Sequence, residues 1–447
     1  MNMQRRLPAS RVGRLSLMGK LAGGLAGGML SEGARQLASG QRPSLGGALL
    51  TPGNMARIGD RLSEMRGAAM KVGQLLSMDS GEVLPAELSQ LLARLREDAH
   101  QMPLGEVNKA LKSAWGDGWD RQFSRFNFKP IAAASIGQVH EAQLRDGPRL
   151  AVKIQYPGVR RSIDSDVDNV ATLLRLFKLL PEGLDVGLLL EQAKQQLHVE
   201  ADYQLEAEAL KTFARHLDGD GRFELPTTID ELSSRDVLAM GFLDGAPIES
   251  LQEQSRATRN GVALNLVELA LREVFDWGLV QTDPNFANYL FAADSGRIQL
   301  LDFGATRRYG EDRLKALHAL FGACVDGDDR DIAAAAVAIG YLADEDPAVY
   351  RDAIVALLKT ATEPARTPGD YHFGSTDLAQ RMSDIVVEMR LRNRFNRLPP
   401  TDILFLHRKL GGLYLLLSRL KAAVPVRSLV DGLVRGHAHA EPDRAIA

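Results

Sequence analysis

QTDPNFANYLF, Gln281 to Phe291, sets an acid and an amide five positions apart, and LLDFGATR after it places a second acid, Asp302, fourteen residues beyond Asn288. Such a set has a chemical use. Phosphoryl transfer needs a carboxylate beside the attacking oxygen and oxygen ligands for magnesium close to the phosphates. The protein-kinase catalytic loop reads H-R-D-x-x-x-x-N followed by D-F-G, with the first Asp as base and the Asn and second Asp on metal. Asp283, Asn288 and Asp302 take those positions, while Gln281 and Thr282 stand where His-Arg would be. A D-P-N turn alone is an ordinary Asx-type turn, so the rest of the machinery must be sought upstream.

The bulk numbers frame that search. A chain of 447 residues exceeds what one core sustains, so two lobes are expected. With 45% hydrophobic and 25% charged residues and a net charge of -3, nothing favours nucleic acid as a partner. The single cysteine, Cys324, rules out an internal disulfide framework and suits a reducing compartment. No run of eighteen or more apolar residues occurs, so no spanning helix is predicted.

Residues 1–50 are basic and glycine-rich. Arg5, Arg6, Arg11 and Arg14 precede an apolar stretch, Leu21 to Leu30, too short to cross a bilayer and without a clean small-residue cleavage site. Two readings stay open: a flexible arm, since glycine is a poor helix former, or an interfacial helix that meets a membrane or a partner. A linker follows at 41–53. Over 51–120 the chain reads as a helical extension, where Met55, Ile58, Leu62, Met65, Ala69, Val72 and Leu76 form one apolar seam. Lys71 and Gln74 in KVGQ project together on its flank. A second helix is expected from Pro85 to Glu97.

Residues 121–245 read as a kinase-like N-lobe with a helical insertion. FKPIAAASIGQVHEAQL and RLAVKIQYPGV are two apolar stretches joined by Arg145-Asp146-Gly147-Pro148, as in a hairpin. The kinase frame G-x-G-x-x-G-x-V appears as Ala132-x-Ala134-x-x-Gly137-x-Val139, with Lys153 fourteen residues beyond Val139. Ala132, Ala133, Ala134, Ser135, Gly137 and Val139 are thus the candidate nucleotide-binding turn. A Cβ where glycine is usual limits positive φ and close backbone approach, so the phosphates are not gripped in the usual way. Helices are expected at 160–180 and 188–217. In the second, EADYQLEAEA puts Asp202 and Glu206 one turn apart on one face. A kinase needs a helix glutamate to hold the strand lysine, and Glu206 is the candidate. A buried strand at 236–243, where a kinase would bind adenine through its backbone, and a helix at 264–277 lead into the D-P-N loop.

Taken in order, KVGQ, AAASIGQVH, AVKIQYPGV, EADYQLEAEA, QTDPNFANYLF and LLDFGATR resemble the UbiB/AarF family of atypical kinases, and most closely its ubiquinone-biosynthesis branch, whose catalytic loop reads Q-T-D-P-N. The resemblance spans roughly residues 50 to 310. It implies an α+β, protein-kinase-like two-lobed fold with a helical N-terminal extension and a mostly helical C-lobe. It implies ATP and Mg2+ as cofactors. Lys71 and Gln74 match the family's K-x-G-Q signature, and Glu200 and Asp202 its E-x-D signature; together these cap the site where a protein substrate would lie. Ala132 to Ala134 match its alanine-rich loop, Lys153 and Glu206 its ion pair, Asp283 its base, and Asn288 and Asp302 its magnesium ligands. Residue 201 is Ala where close relatives often carry a larger or sulfur-bearing side chain.

The chain after D-F-G separates it from ordinary protein kinases. These carry a substrate-binding activation segment closed by A-P-E, whereas Gly310-Glu311-Asp312 already begins a helix here. Residues 246–447 form the expected C-lobe, all-helical from 311 to 440, with a stripe of Leu404, Leu406, Leu410, Leu413, Leu417 and Leu420. The function expected is ATP hydrolysis, or small-molecule or lipid phosphotransfer, supporting ubiquinone biosynthesis. A protein kinase and a pseudokinase scaffold are the alternatives. Expected partners are a ubiquinone precursor or lipid, a membrane surface, other ubiquinone-biosynthesis enzymes and a second copy of the chain, with a location at the cytoplasmic side of an inner membrane.

Overall fold

The computed structural model describes residues 59, 62, 63, 65–79, 101–176, 186–389, 395, 397 and 399–432. The basic segment 1–50, the linker 41–53 and the helix expected from Pro85 to Glu97 lie outside them. The chain packs as two units, the first taking residues up to Ala207 and Thr227–Phe242, the second Glu208–Pro226 and Leu243 onward.

The first unit is built on an antiparallel sheet of β1 (Phe123–Phe126), β2 (Ala132–Ala133), β3 (Gly137–Leu144), β4 (Arg149–Gln155) and β6 (Val237–Gly241), in the order β1-β3-β4-β6 with β2 on β3. In β4 the alternate residues Leu150, Val152 and Ile154 are wholly buried, as the period of two requires. They meet Val107 and Leu111 of the helix Leu104–Trp115. On β3 the inward positions are partly polar and are satisfied. Gln138 Oε1 accepts from Met102 N at 3.0 Å, and its amide nitrogen lies 2.9 Å from His140 Nε2. Burial lowers the His140 pKa, so the ring is neutral; its Nδ1 donates to Asn127 O at 2.9 Å and its Nε2 accepts from Gln138. The expected hairpin forms, with Val139 and Lys153 as cross-strand partners.

Among the described residues this unit also carries α1 (Arg66–Asp79), α3 (Val159–Leu176) and α4 (Val186–Glu200), with α2 the helix Leu104–Trp115. Leu62, Met65, Ala69 and Val72 of the predicted seam are buried, as are Ile163, Val167, Val170 and Leu174 of α3. The single helix expected at 188–217 is in fact two. The chain breaks between Glu200 and α5 (Tyr203–His216), where Asp202 Oδ1 accepts from Gln204 N at 3.2 Å as a local cap. The carbonyl freed by the break is satisfied, because Ala201 O accepts from Gln155 Nε2 at 2.9 Å and Arg160 Nη2 at 3.0 Å. Ala201 is itself fully buried.

In the second unit, β5 (Phe223–Glu224), β10 (Arg297–Leu300), β9 (Tyr289–Ala292) and β7 (Ala246–Pro247) form one sheet, and β8 (Leu279–Gln281) pairs with β11 (Thr306–Arg308). Helix α6 (Arg256–Leu271) begins earlier than the expected Leu264, because Ser255 caps it by accepting from Thr258 N at 3.1 Å. A π-turn, Arg272–Asp276, and Gly278 at φ +57 then turn the chain into β8. After the acids, α7 (Glu311–Asp326), α8 (Asp329–Ile339), α9 (Ala348–Ala361), α10 (Glu363–Arg366), α11 (Leu378–Val387) and α12 (Thr401–Arg419) follow. A short ladder of β12 (Tyr371–His372) with β13 (Ala423–Val424) interrupts the all-helical pattern expected there. The expected leucine stripe holds at Leu404, Leu406, Leu417 and Leu420, but Leu410 is exposed. The face of α12 at that level is given instead to Lys409, which is buried.

Gly137 is fixed by space rather than by φ. A Cβ there would overlap the Ile154 carbonyl and lie 2.9 Å from the Tyr203 hydroxyl. Gly137→Ala is therefore predicted to lower the stability of the first unit by about 1–3 kcal/mol, as overpacking does, measured from its denaturant midpoint. An unchanged midpoint would show that the hairpin has room to spare.

Candidate active site

The spacing of the acids follows from two local structures. Asn285 Oδ1 accepts from Ala287 N at 3.2 Å, opening a single 3-10 turn, Phe286–Asn288, that folds Asn288 back toward Asp283. Asn288 Nδ2 then donates to Asp283 Oδ2 at 3.2 Å. The longer interval is one β-hairpin: Tyr289 pairs with Leu300, and Leu301 N donates to Asn288 O at 3.0 Å, so Asp302 emerges beside Asn288.

Gln281 and Thr282, which replace the kinase His-Arg, are the bolts of this arrangement. Gln281 Nε2 donates to the carbonyls of Asp283 at 2.9 Å and Asp302 at 3.1 Å, tying the two acids together. Thr282 Oγ1 donates to Ala305 O at 2.6 Å, and Asp302 Oδ1 accepts from Gly304 N at 2.9 Å. Phe303 of the D-F-G packs on Phe213 with ring centroids 4.8 Å apart.

Behind the loop lies a buried ion pair, Lys409 with Glu273, at 2.9 Å. Glu273 also accepts from Gln281 N at 3.0 Å, so both its oxygens are engaged. Burial pushes the Glu273 carboxyl up against the pull of Lys409. The Lys409 ammonium sits above its usual range: burial opposes this, and Glu273 and Tyr289 outweigh it. Donors on both carboxylate oxygens favour the ionised pair. A cavity of about 10 Å³, the room of one water molecule, is lined by Gln281, Asn288, Asp302 and Lys409 among others. Gln281 Oε1 is buried and has no hydrogen-bond partner among the described residues.

Sequence reading missed what holds Asp283. Its Oδ1 is bound by Arg408 Nη2 from α12, and Gly412, one turn on, lies so close to Pro284 that a Cβ would enter the proline ring. The signal in the sequence is HRKLGG, a basic pair and two glycines inside an otherwise apolar helix.

The first unit holds the other expected residues. Lys153 and Glu206 form a buried ion pair at 2.5 Å, with the Lys153 ammonium 5.7 Å from the centre of the Tyr203 ring. Lys71 is buried and pairs with Glu200, whose other oxygen accepts from Ser135 Oγ at 3.3 Å. A Cβ on Gly67 would lie 3.0 Å from Ser135 O, so α1 rests directly on the alanine-rich turn. That turn is regular: Ala132 pairs with Val139, Ala133 with Gln138, and Ala134 N donates to Gly137 O at 2.9 Å. No alanine in it has positive φ. Asp202 is not a face-mate of Glu206. It precedes α5, and its carboxylate takes Arg235 Nε at 2.7 Å while that of Glu206 goes to Lys153. Gln74 lies on α1, and its side chain is outside the described residues.

Comparison with known proteins shows the family and the fold. The ABC1 atypical kinase-like domain family matches residues 94–336, just over half of the chain. The atypical kinase coq-8, mitochondrial, of Caenorhabditis elegans is 38% identical over 94% of this chain, which spans 56% of that relative's length. The atypical kinase COQ8, mitochondrial, of Saccharomyces cerevisiae is 37% identical over 94% of this chain and 83% of its own. Among solved structures, that of Rv3197 with erythromycin from Mycobacterium tuberculosis is 25% identical, with a TM-score of 0.58 over 85% of this chain and 95% of that one. The chain has the α+β, kinase-like fold and belongs to the ABC1 atypical kinase family, the COQ8/UbiB group among them.

Proposed function

We propose that this chain binds ATP with magnesium and either hydrolyses it or transfers its terminal phosphoryl group to a small molecule or lipid, in support of ubiquinone biosynthesis. The observation that carries the reading is the Asp283–Asn288 contact, held in one rigid loop with Asp302 by Gln281. In this reading Asp283 accepts the proton of the attacking hydroxyl, and Lys153, oriented by Glu206, neutralises phosphate charge.

The donor set fits magnesium. Asn288 spends its Nδ2 on Asp283, which leaves the amide oxygen as an acceptor, and Asp302 adds a carboxylate beside it. Magnesium is commonly held by one or two carboxylates together with substrate phosphates rather than by an all-protein cage. When bound, the ion supplies neutralisation of the phosphate oxygens. The proposed cap consists of Lys71, Gln74, Glu200 and Asp202. The short connection from Asp302 to α7, with no A-P-E, favours a small-molecule or lipid acceptor over a peptide.

The membrane part of the proposal rests on the basic, glycine-rich residues before Leu30 and on the ubiquinone resemblance. Mitochondrial is a word in the relatives' names; for this chain we propose a peripheral place at the cytoplasmic side of an inner membrane, with other biosynthetic enzymes and a second copy of the chain as partners. Among the described residues, no helix is long and apolar enough to cross a membrane.

Asp302→Asn is predicted to weaken magnesium-dependent ATP binding and turnover together, whereas Asp283→Asn keeps binding and loses turnover by roughly 100-fold or more. Calorimetry with ATP and a phosphate-release assay separate the two. Equal loss of binding in both variants would remove Asp283 from the role of base. Anionic vesicles carrying a ubiquinone-precursor mimic are predicted to raise wild-type turnover; identical rates with and without them would end the membrane part of the proposal.

A further inference from the structure

Phosphoryl transfer spreads negative charge over the oxygens of the moving group, and a catalytic loop needs cations near it. This loop brings almost none of its own. From Gln281 to Phe303 the sequence holds one basic residue, Arg297, exposed at the start of β10. Lys409, on α12 behind the loop, is closed inside the pair with Glu273 and engages Tyr289. Arg408 is different. Its side chain is 9% exposed, one nitrogen holds Asp283 Oδ1, and the other, Nη1, is buried without a hydrogen-bond partner among the described residues.

A buried N–H group left unpaired costs stability, and such groups persist where function uses them. The fold goes to some length to keep this one in place. Gly412 brings α12 against Pro284, Lys409 anchors the same turn to Glu273, and Arg307 stacks on Phe405 at 3.6 Å. The result is a guanidinium fixed at the residue that receives the proton, with one arm spent and one unspent.

We propose that Arg408 is a phosphate-directed arginine supplied in cis by α12: Nη2 keeps Asp283 oriented while Nη1 donates to the transferring phosphoryl group. The proposal rests on the ATP reading above. In the step it serves, the oxygen of water or of an acceptor hydroxyl bonds to the γ-phosphorus and its proton passes to Asp283. The bond from that phosphorus to the β,γ-bridging oxygen breaks, and ADP leaves with the electron pair. Arg408 forms and breaks no covalent bond; it offsets charge that grows in the transition state. Arginine suits this because its planar fork holds two oxygen partners in a fixed geometry, whereas a lysine offers a compact point charge on a flexible stem.

The test compares binding of ADP with binding of ADP–aluminium fluoride, a mimic of the moving phosphoryl group, both with magnesium and the full chain. Arg408→Gln and Arg408→Lys are measured beside wild type, with melting temperatures. Arg408→Lys keeps a cation for Asp283 and removes the second arm, so it carries the test if the Gln variant folds poorly. The expected result is ADP affinity within about threefold of wild type, ADP–aluminium fluoride affinity lower by roughly 30-fold or more, and kcat reduced in parallel. Wild-type affinity for the mimic in Arg408→Lys, or an equal loss for ADP and the mimic, would overturn the proposal. A wild-type chain that binds neither nucleotide would instead sink the ATP reading beneath it.

Discussion

The buried pair of Glu273 and Lys409 is the constraint on which the catalytic loop depends. Two charges taken out of water are costly unless each finds further partners. Here they do. Glu273 takes the backbone N–H of Gln281, and Lys409 adds Tyr289. The pair thereby fixes the residue before the D-P-N loop and the residue after it, while the Gln281 side chain reaches the carbonyls of both acids. Removal of either charge would leave the other uncompensated and would loosen the loop from behind. Stability and acid geometry are therefore supplied by the same few atoms.

Much of this was legible beforehand. The kinase-like spacing led to the expectation that Asp283, Asn288 and Asp302 come together, and a turn joins Asn288 to Asp283 while a hairpin returns the chain to Asp302. The order of Lys153 and Glu206 was equally readable, and the two meet in a buried pair. Less readable were contacts made across long stretches of chain. Arg408 lies far from Asp283 in sequence, and a basic pair in a helix usually signals a solvated face. The break after Glu200 was hidden because Ala201 and Tyr203 carry the helical period straight through it. Only the tertiary donors Gln155 and Arg160 make an open carbonyl there stable.

The first unit shows why alanines suffice where kinases use glycines. Glycine is required where φ is positive or a backbone must approach closely. The turn from Ala132 to Gly137 does neither at its alanines, since it is a paired strand and a short reversal with ordinary φ. The close approach occurs elsewhere, at Gly67, where α1 rests on Ser135, and at Gly137, under Tyr203. Lys71 and Ser135 both end on Glu200, so the helix and the turn share one carboxylate. A turn clamped in this way has little freedom to fold over phosphates. That is the physical content of an unkinase-like loop in a chain that keeps kinase acids.

The central claim is that the buried pair serves the loop's geometry and not stability alone. ATP turnover by the double variant Glu273→Leu/Lys409→Met tests it most directly, with unfolding followed in parallel. Replacing both charges by apolar groups of similar size is often neutral for stability, so the fold should survive while Gln281 N loses its acceptor. The account predicts a chain that still folds, weakened by about 1–3 kcal/mol for the unpaired Gln281 N–H, with turnover of the folded protein reduced by roughly tenfold or more. A double variant with wild-type turnover would contradict it.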